Sequence, residues 1–332
     1  MSSFLSQAKP ANKRFLVRLD LDLPLEKGKF DTTRLEDGVA TVQYLLDNGA
    51  SKITIIGHRG RPGGKKNLKY SMKPIEKLLL KYLKKDQEKK VTVLDNLRFS
   101  PGEEKNLEGF AKKLAKGHDF FVNDSFAVSH REHASIVGIP KILPSYFGLQ
   151  FQKEIEGLRP IIEGPKRPYV LILGGAKGET KLPLMEPFKE KADVILVGGK
   201  LASQQGENPV TNRKLILAKL EEHGKDISFG AIEQFLRFVA MAKTIVWNGP
   251  LGMIEKEEYR TGTRAIAEAI SRSPAYTVVG GGDTEAALSL LNISKGINFV
   301  SSGGGAMLEY LAYGTLPGIE AVKNSTPAPL AK

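Results

Sequence analysis

The chain has 332 residues, 41% hydrophobic and 26% charged, the balance of a globular protein with room for two domains. It holds no cysteine, which excludes a disulfide framework, thiol chemistry and a cysteine zinc site. No apolar run approaches the roughly 20 residues that cross a bilayer, and the N-terminal Met-Ser-Ser-Phe-Leu-Ser-Gln lacks the regions of a signal peptide; the expectation is a soluble cytoplasmic protein without a membrane partner. The net charge is +12. Residues 1–153 carry 28 Lys and Arg against 17 Asp and Glu, and the remainder 21 against 20. A basic half suits an anionic partner such as a phosphorylated metabolite, a nucleic acid or a membrane surface. The lysines between Lys73 and Lys90 read as the solvated face of one helix and the turn after it.

In chain order, the first half predicts strands at Phe15–Leu19, Lys52–Gly57, Val91–Leu94 and Phe120–Val122. A helix over Leu35–Asp47 carries Val39, Val42, Leu45 and Leu46 and stops at Gly49. Ser71 is placed to N-cap a helix with Ile75, Leu78, Leu79 and Tyr82 on one face. The boundary region 148–168 holds a helical run, Gln152–Leu158, then Pro160, Gly164, Pro165 and Pro168. Strands follow at Tyr169–Leu173, Val194–Val197, Thr244–Trp247, Thr277–Val279 and Asn298–Ser301. Several are apolar almost throughout, as parallel strands covered on both faces must be. The alternation predicts α/β architecture: two doubly wound, Rossmann-like parallel-sheet domains with an interdomain cleft and a hinge, and ligands beyond the C-terminal strand ends. Domain 1 is expected over 1–153 and domain 2 over 154–316. The tail Ser325–Lys332 is expected to be poorly ordered.

The polar segments gather at those strand ends. In the first half they are Arg18-Leu19-Asp20-Leu21-Asp22, whose polar side chains share one face at period two, and Gly57-His58-Arg59-Gly60-Arg61-Pro62. Asp95-Asn96-Leu97-Arg98 and Asn123-Asp124-Ser125-Phe126 leading to His130-Arg131-Glu132-His133 follow. Each alone is a common strand end or surface turn. Together they supply Arg18, Arg34, His58, Arg61, Arg98 and Arg131, and the guanidinium fork suits phosphate and carboxylate. A small doubly charged substrate fits that set. Duplex DNA fits less well, because zinc-finger and basic-zipper spacings are absent.

The second half carries glycine-rich loops after successive strands: Gly174-Gly175-Ala176-Lys177-Gly178-Glu179-Thr180-Lys181, Val197-Gly198-Gly199, Gly280-Gly281-Gly282-Asp283-Thr284 and Ser302-Gly303-Gly304-Gly305. Trp247-Asn248-Gly249-Pro250 closes another strand. Backbone N–H groups at helix starts, with lysines, make a phosphate cradle. The spacing is neither Walker A nor G-x-G-x-x-G. Four such loops imply a surface that lets a ligand approach the backbone, and Asp283 beside a nucleotide is a candidate Mg²⁺ ligand.

Eight of these segments, in this order, resemble phosphoglycerate kinase, over about residues 13 to 322. They are Arg18–Pro24, His58–Pro62, Asn96–Glu104, Asn123–Ser135, Gly174–Lys177, Trp247–Pro250, Gly280–Thr284 and Gly303–Ala306. The resemblance implies reversible phosphoryl transfer between 1,3-bisphosphoglycerate and ADP, giving 3-phosphoglycerate and MgATP. It implies that Asp20, Asp22, Arg34, His58, Arg61, Arg98 and Arg131, with Arg18 beside them, hold the acyl substrate. Lys177, Lys181, Gly198, Gly199, Asn248, Pro250, Glu255 and the Gly280, Gly281, Gly282, Asp283, Thr284 loop would hold the nucleotide, with Mg²⁺ on Asp283. Arg34, Lys177 and the amides around Gly303, Gly304 and Gly305 would stabilise the transferring group. Residues 317–332 would pack back on domain 1, and the protein would be monomeric.

Four departures from the family pattern stand out. Asp22 replaces the usual Asn, Lys200 follows Gly198-Gly199 where a third Gly is usual, and Gly178 replaces a small side chain. The stretch from Gly199 to Trp247 is several tens of residues shorter than usual. Two other readings remain at this point: a catalytically silent paralogue that binds an anionic metabolite or partner, and a nucleic-acid-binding protein using the basic half.

Overall fold

The computed structural model describes residues 3–26, 28–176, 178–203, 214–293 and 295–326. They form two compact units, Met1–Ile155 with Thr315–Lys332, and Glu156–Gly314.

The first unit is built on five parallel strands: β1 (Arg14–Leu19), β4 (Lys52–Ile56), β5 (Val91–Val93), β6 (Phe120–Asp124) and β7 (Ser145–Phe147), in the order β5-β4-β1-β6-β7. A two-residue hairpin, β2 (Leu25–Glu26) with β3 (Lys29–Phe30), stands apart. Alternate residues of β1 go to opposite faces. Phe15, Val17 and Leu19 pack with Val42 and Leu45 of the helix Thr33–Asp47 and with Ile75 and Leu79 of the helix Lys73–Leu80. Leu16 packs on the other side with Phe121, Leu114 and Ala134. Arg18 shares the parity of Leu16 and therefore lies on that second face. β1 is central, and the chain reverses direction across the sheet between β1 and β6, the topological switch point at which α/β folds bind ligands.

The second unit has six parallel strands: β8 (Tyr169–Leu173), β9 (Val194–Val197), β10 (Leu215–Leu217), β11 (Thr244–Asn248), β12 (Tyr276–Gly280) and β13 (Phe299–Ser301). Their order, β10-β9-β8-β11-β12-β13, is the 3-2-1-4-5-6 order of dinucleotide-binding folds. Ile172, Ile245, Trp247 and Val279 meet Phe235, Val239, Ile266 and Ile270 from the helices Phe229–Met241 and Thr261–Arg272. Leu171, Val246 and Val278, which point the other way, are also fully buried. The switch point lies between β8 and β11, where Gly174 N donates to Asn248 O and Gly175 N to Pro250 O.

Several expectations need correction. The boundary helix runs Leu149–Glu163, straight through Pro160. Buried Phe151, Leu158 and Ile161 hold it together despite the one bond that proline cannot give. Ser71 is not the N-cap of the next helix: Met72 holds that position without a side-chain cap, and the Met72 amide donates to Asp95 Oδ1 at 2.9 Å. Tyr82 lies beyond the end of that helix and is 41% exposed, its hydroxyl donating to Glu36. The lysines from Lys73 to Lys90 span two helices, Lys73–Leu80 and a short Lys85–Glu88, rather than one helix and a turn. In the tail, Thr326 N donates to Pro140 O and its hydroxyl to Lys141 O, while residues 327–332 lie outside the described residues. The helix Pro317–Lys323 packs on the π-helical turn Ala134–Gly138 and on β7. A side chain on Gly318 would strike Ser129 at 2.8 Å.

Candidate functional site

In the first unit the polar residues at the ends of β1, β4 and β5 form one connected network. Arg34, in the first turn of its helix, donates to Asp20 Oδ2 at 3.3 Å. Asp22 accepts from the Gly60 amide at 2.8 Å, and its other oxygen lies 3.6 Å from His58 Nε2. Arg98 donates to Gly60 O at 2.9 Å and faces Glu104 at 3.4 Å. Asn96 fastens the loop from below, donating to Arg59 O and Tyr70 O. Arg61 and Arg131 are exposed.

The depth of these groups divides their work. Arg34 is 22% exposed and Asp22 41%, so both can meet a ligand. Arg18 is 1% exposed. Its guanidinium donates to Ser135 Oγ, to Leu19 O and to His58 Nδ1, so these donors are engaged within the protein, beside His58. Glu103, within the Asn96–Glu104 segment, is fully buried and accepts from both the amide and the hydroxyl of Ser135. An acid after Pro-Gly in a first helical turn reads as ordinary dipole complementation, which hid it.

The cations shape the titration of the histidines. Burial, then Arg18 and Arg98, hold the His58 imidazole well below its ordinary value. Burial and then Arg98 bring His133 down to about 4, and burial and then Arg131 do the same to His130. All three rings are neutral at pH 7. An unfolded chain takes up protons near pH 6.5 that the folded one refuses, so these groups make stability fall as pH drops from about 6.5 toward 4. His118, lowered chiefly by burial, adds to this slope, while Asp124, pushed up by burial to about 6 from 3.8, acts oppositely, as do Asp37 and Asp226, both raised by burial. Thermal unfolding followed from pH 7.5 to 5 is expected to show a falling midpoint, with a shallower fall in a His130→Asn/His133→Asn variant; equal slopes would contradict the assignment.

In the second unit the glycine-rich turns pack on one another. A Cβ on Gly174 would lie 2.3 Å from Pro250 O, and one on Gly304 2.7 Å from Gly281 Cα. The glycines that implied ligand approach therefore first serve the close packing of neighbouring strand ends. The hydroxyl of Thr284, fully buried, accepts from Gly249 N at 2.7 Å and donates to Gly280 O at 3.0 Å. Asn248 donates to Gly280 O at 2.6 Å. The Lys181 ammonium, expected at phosphates, donates to Gly174 O and Asn248 O; it braces two loops. Asp283 and Gly282 are exposed in the first turn of the helix Gly282–Leu290. Gly303 is the N-cap of the helix Gly304–Tyr313, which puts Gly304 and Gly305 in its first turn. Gly198 and Gly199 lead into the short helix Gly199–Ser203 with Lys200 exposed, and Glu255 is exposed in a loop. Lys177 lies outside the described residues. An open apolar depression of about 430 Å³, lined by Pro168, Val170, Val194, Phe238 and Met241, lies at the opposite ends of β8 and β9 and takes no part in this arrangement.

The family model described as phosphoglycerate kinase matches residues 5–206 and 203–313. The chain belongs to the phosphoglycerate kinase family. It is a phosphotransferase of glycolysis. The phosphoglycerate kinase of Borreliella burgdorferi strain ZS7 is 36% identical over 382 residues, covering 95% of this chain and 97% of the relative. That of Finegoldia magna is 35% identical over 381 residues, covering 94% and 96%. Among solved structures, phosphoglycerate kinase from Coxiella burnetii aligns with a TM-score of 0.80 at 30% identity, over 96% of this chain and 98% of that one. The enzyme from Pyrococcus horikoshii OT3 aligns with a TM-score of 0.82 at 28%, over 97% and 98%. These likenesses do not favour the silent reading. Alignments longer than the chain's own 332 residues mean that the relatives carry residues this chain lacks.

Proposed function

We propose a division of labour in which the first unit holds the phosphoglycerate and the second holds the nucleotide. The observation that carries it is the clustering of Arg34, Asp20, Asp22, His58 and Arg98 around the Gly60 turn at the C-terminal ends of one parallel sheet. Phosphoryl transfer asks for positioning and charge neutralisation more than for a protein base. Arg34, held by Asp20, neutralises oxygens of the transferring group. Arg61, Arg98 and Arg131 bind the anionic remainder of the substrate, and His58 presents its ring to it. On the nucleotide side, the amides around Gly303, Gly304 and Gly305 face the phosphates and Lys177 adds its charge to the transferring group, while Asn248, Thr284 and Lys181 keep the loops in register. Gly198, Gly199, Pro250 and Glu255 contribute to the walls. Asp283 would hold Mg²⁺. Among the described residues no three acidic or histidine side chains gather in a metal site, and Mg²⁺ accepts one carboxylate completed by phosphate oxygens and waters. Bound there, it would neutralise phosphate charge. The enzyme works in the cytoplasm as a monomer on small-molecule substrates.

Purified protein supplied with 3-phosphoglycerate and MgATP in a coupled assay is expected to turn over; a folded protein without turnover at high concentration would refute the reading. Asp22 gives a finer test. Its Oδ1 accepts from Gly60 N, a bond that an asparagine carbonyl keeps, while its charge opposes an anionic substrate. Asp22→Asn is expected to lower KM for 3-phosphoglycerate several-fold with little change in KM for MgATP. An unchanged or raised KM would place the carboxylate away from the anion.

A further inference from the structure

We propose that Glu103 and Ser135 are positioning residues which, through Arg18, fix His58 in the tautomer that carries its proton on Nε2, the nitrogen turned toward Asp22. This rests on the reading of the first unit as the phosphoglycerate site.

The connection is continuous and each link has a direction. Glu103 Oε1 accepts from the Ser135 hydroxyl at 2.6 Å, and Oε2 from the Ser135 amide at 3.0 Å. With its only proton committed to the carboxylate, Ser135 Oγ offers lone pairs alone. One of them accepts from Arg18 Nε at 3.1 Å. Arg18 Nη1 donates to Leu19 O, and Nη2 lies 3.0 Å from His58 Nδ1. A guanidinium has donors and no acceptor, so His58 Nδ1 must be the bare nitrogen of the ring. The neutral ring then has its proton on Nε2, 3.6 Å from Asp22 Oδ2.

The burial of the chain of groups explains why it transmits orientation. Glu103 and Ser135 are fully buried, Arg18 is 1% exposed and His58 4%. A buried guanidinium demands a compensating charge and filled hydrogen bonds. Glu103 supplies the charge without touching Arg18, and Ser135, Leu19 and His58 fill the bonds. Burial and the neighbouring cations also keep the ring neutral, so the proton position is set by Arg18. The placement follows from the fold. Arg18 lies on the face of β1 that packs toward the π-helical turn Ala134–Gly138, and such turns recur at functional sites. His58 so oriented offers an N–H donor to an oxygen of the bound anion; the opposite tautomer would present a lone pair to it.

The test uses Ser135→Ala and Glu103→Gln in the full chain, with Glu103→Asp as the conservative variant. Nitrogen-15 NMR of histidine-labelled protein at pH 7, with the His58 signal assigned by its loss in His58→Gln, reads the tautomer directly among only five histidines. Wild type is expected to show a single Nε2–H form, and Ser135→Ala and Glu103→Gln a mixture of both tautomers. KM for 3-phosphoglycerate is expected to rise about tenfold in both, with KM for MgATP unchanged, and Glu103→Asp to recover part of the loss. A wild-type circular-dichroism spectrum and unfolding temperature show that a variant is folded. If Glu103→Gln does not fold, Ser135→Ala, which removes one oxygen, decides alone. A wild-type His58 protonated on Nδ1 would overturn the proposal, as would a pure Nε2–H form with an unchanged KM in Ser135→Ala. The tautomer is read without turnover, so an enzyme inactive on 3-phosphoglycerate would sink the functional reading and leave this result standing on its own.

Discussion

Arg34→Ala is expected to lower kcat by about 10²–10³-fold, which corresponds to roughly 3–4 kcal/mol of transition-state stabilisation, the magnitude found when one donor to a developing charge is removed. The folded state should barely notice. The Arg34 side chain is 22% exposed and makes one ion pair, at 3.3 Å, to a carboxylate that keeps access to water. A coupled assay together with circular dichroism separates the two effects: an intact spectrum with collapsed turnover is the expected pair. Arg34→Lys should recover only part of the rate, because an ammonium lacks the planar fork that meets two oxygens together. Near-normal turnover in the alanine variant would remove Arg34 from the chemistry.

Gly249→Ala should damage the second unit, to which we assign the nucleotide, by a different route. Gly249 has φ of +95°, a conformation that side chains resist, and a Cβ there would lie 2.3 Å from Gly174 O and 2.6 Å from the Lys181 ammonium. Backbone strain of about 1–3 kcal/mol adds to an overpacking cost of about 1–3 kcal/mol. The loops can relieve it only by separating, which breaks the bonds from Lys181 to Gly174 O and Asn248 O. Calorimetry is expected to show a lower unfolding temperature, and titration with MgADP an affinity reduced by more than tenfold. Binding of 3-phosphoglycerate, assigned to the first unit, should change little. Wild-type nucleotide affinity in this variant would mean that the strand-end packing is incidental to binding.

The parts of this molecule that were readable from its letters are those set by short-range physics. Tyr169–Leu173 and Val194–Val197 were bounded correctly because a run buried on both faces is apolar at every position and polar at its ends. β7 and β10 escaped notice: each is three residues long, too short to show a period, and Pro144 directly before β7 reads as a breaker. The arginines and His58 stand out in the sequence because several of them fall at successive predicted strand ends and suit one anionic ligand together. Their ranking by depth was invisible, since whether Arg18 faces a ligand or the interior depends on which face of β1 the π-helical turn covers. Glu103 and Ser135 were illegible for the same reason; they meet across 32 positions. The glycine-rich turns were located correctly and explained too simply, because the contact that forbids a side chain is frequently another turn and not a ligand.

The helix Pro317–Lys323, which covers the segment bearing Ser135, has an implication for how the protein is made. A ribosome releases the N-terminal 155 residues long before this helix exists. Until it emerges, Ile136 and Val137 have lost a neighbour, Ala321, that packs on them in the finished protein, and the Ser129 carbonyl lacks the Gly318 amide that it accepts from at 2.8 Å. The intervening 159 residues, Glu156–Gly314, have their own core and can condense first. The apolar seam around Val128, Ile136 and Val137 is therefore covered last in translation, and a nascent chain stalled before Pro317 should expose it to chaperones and proteases.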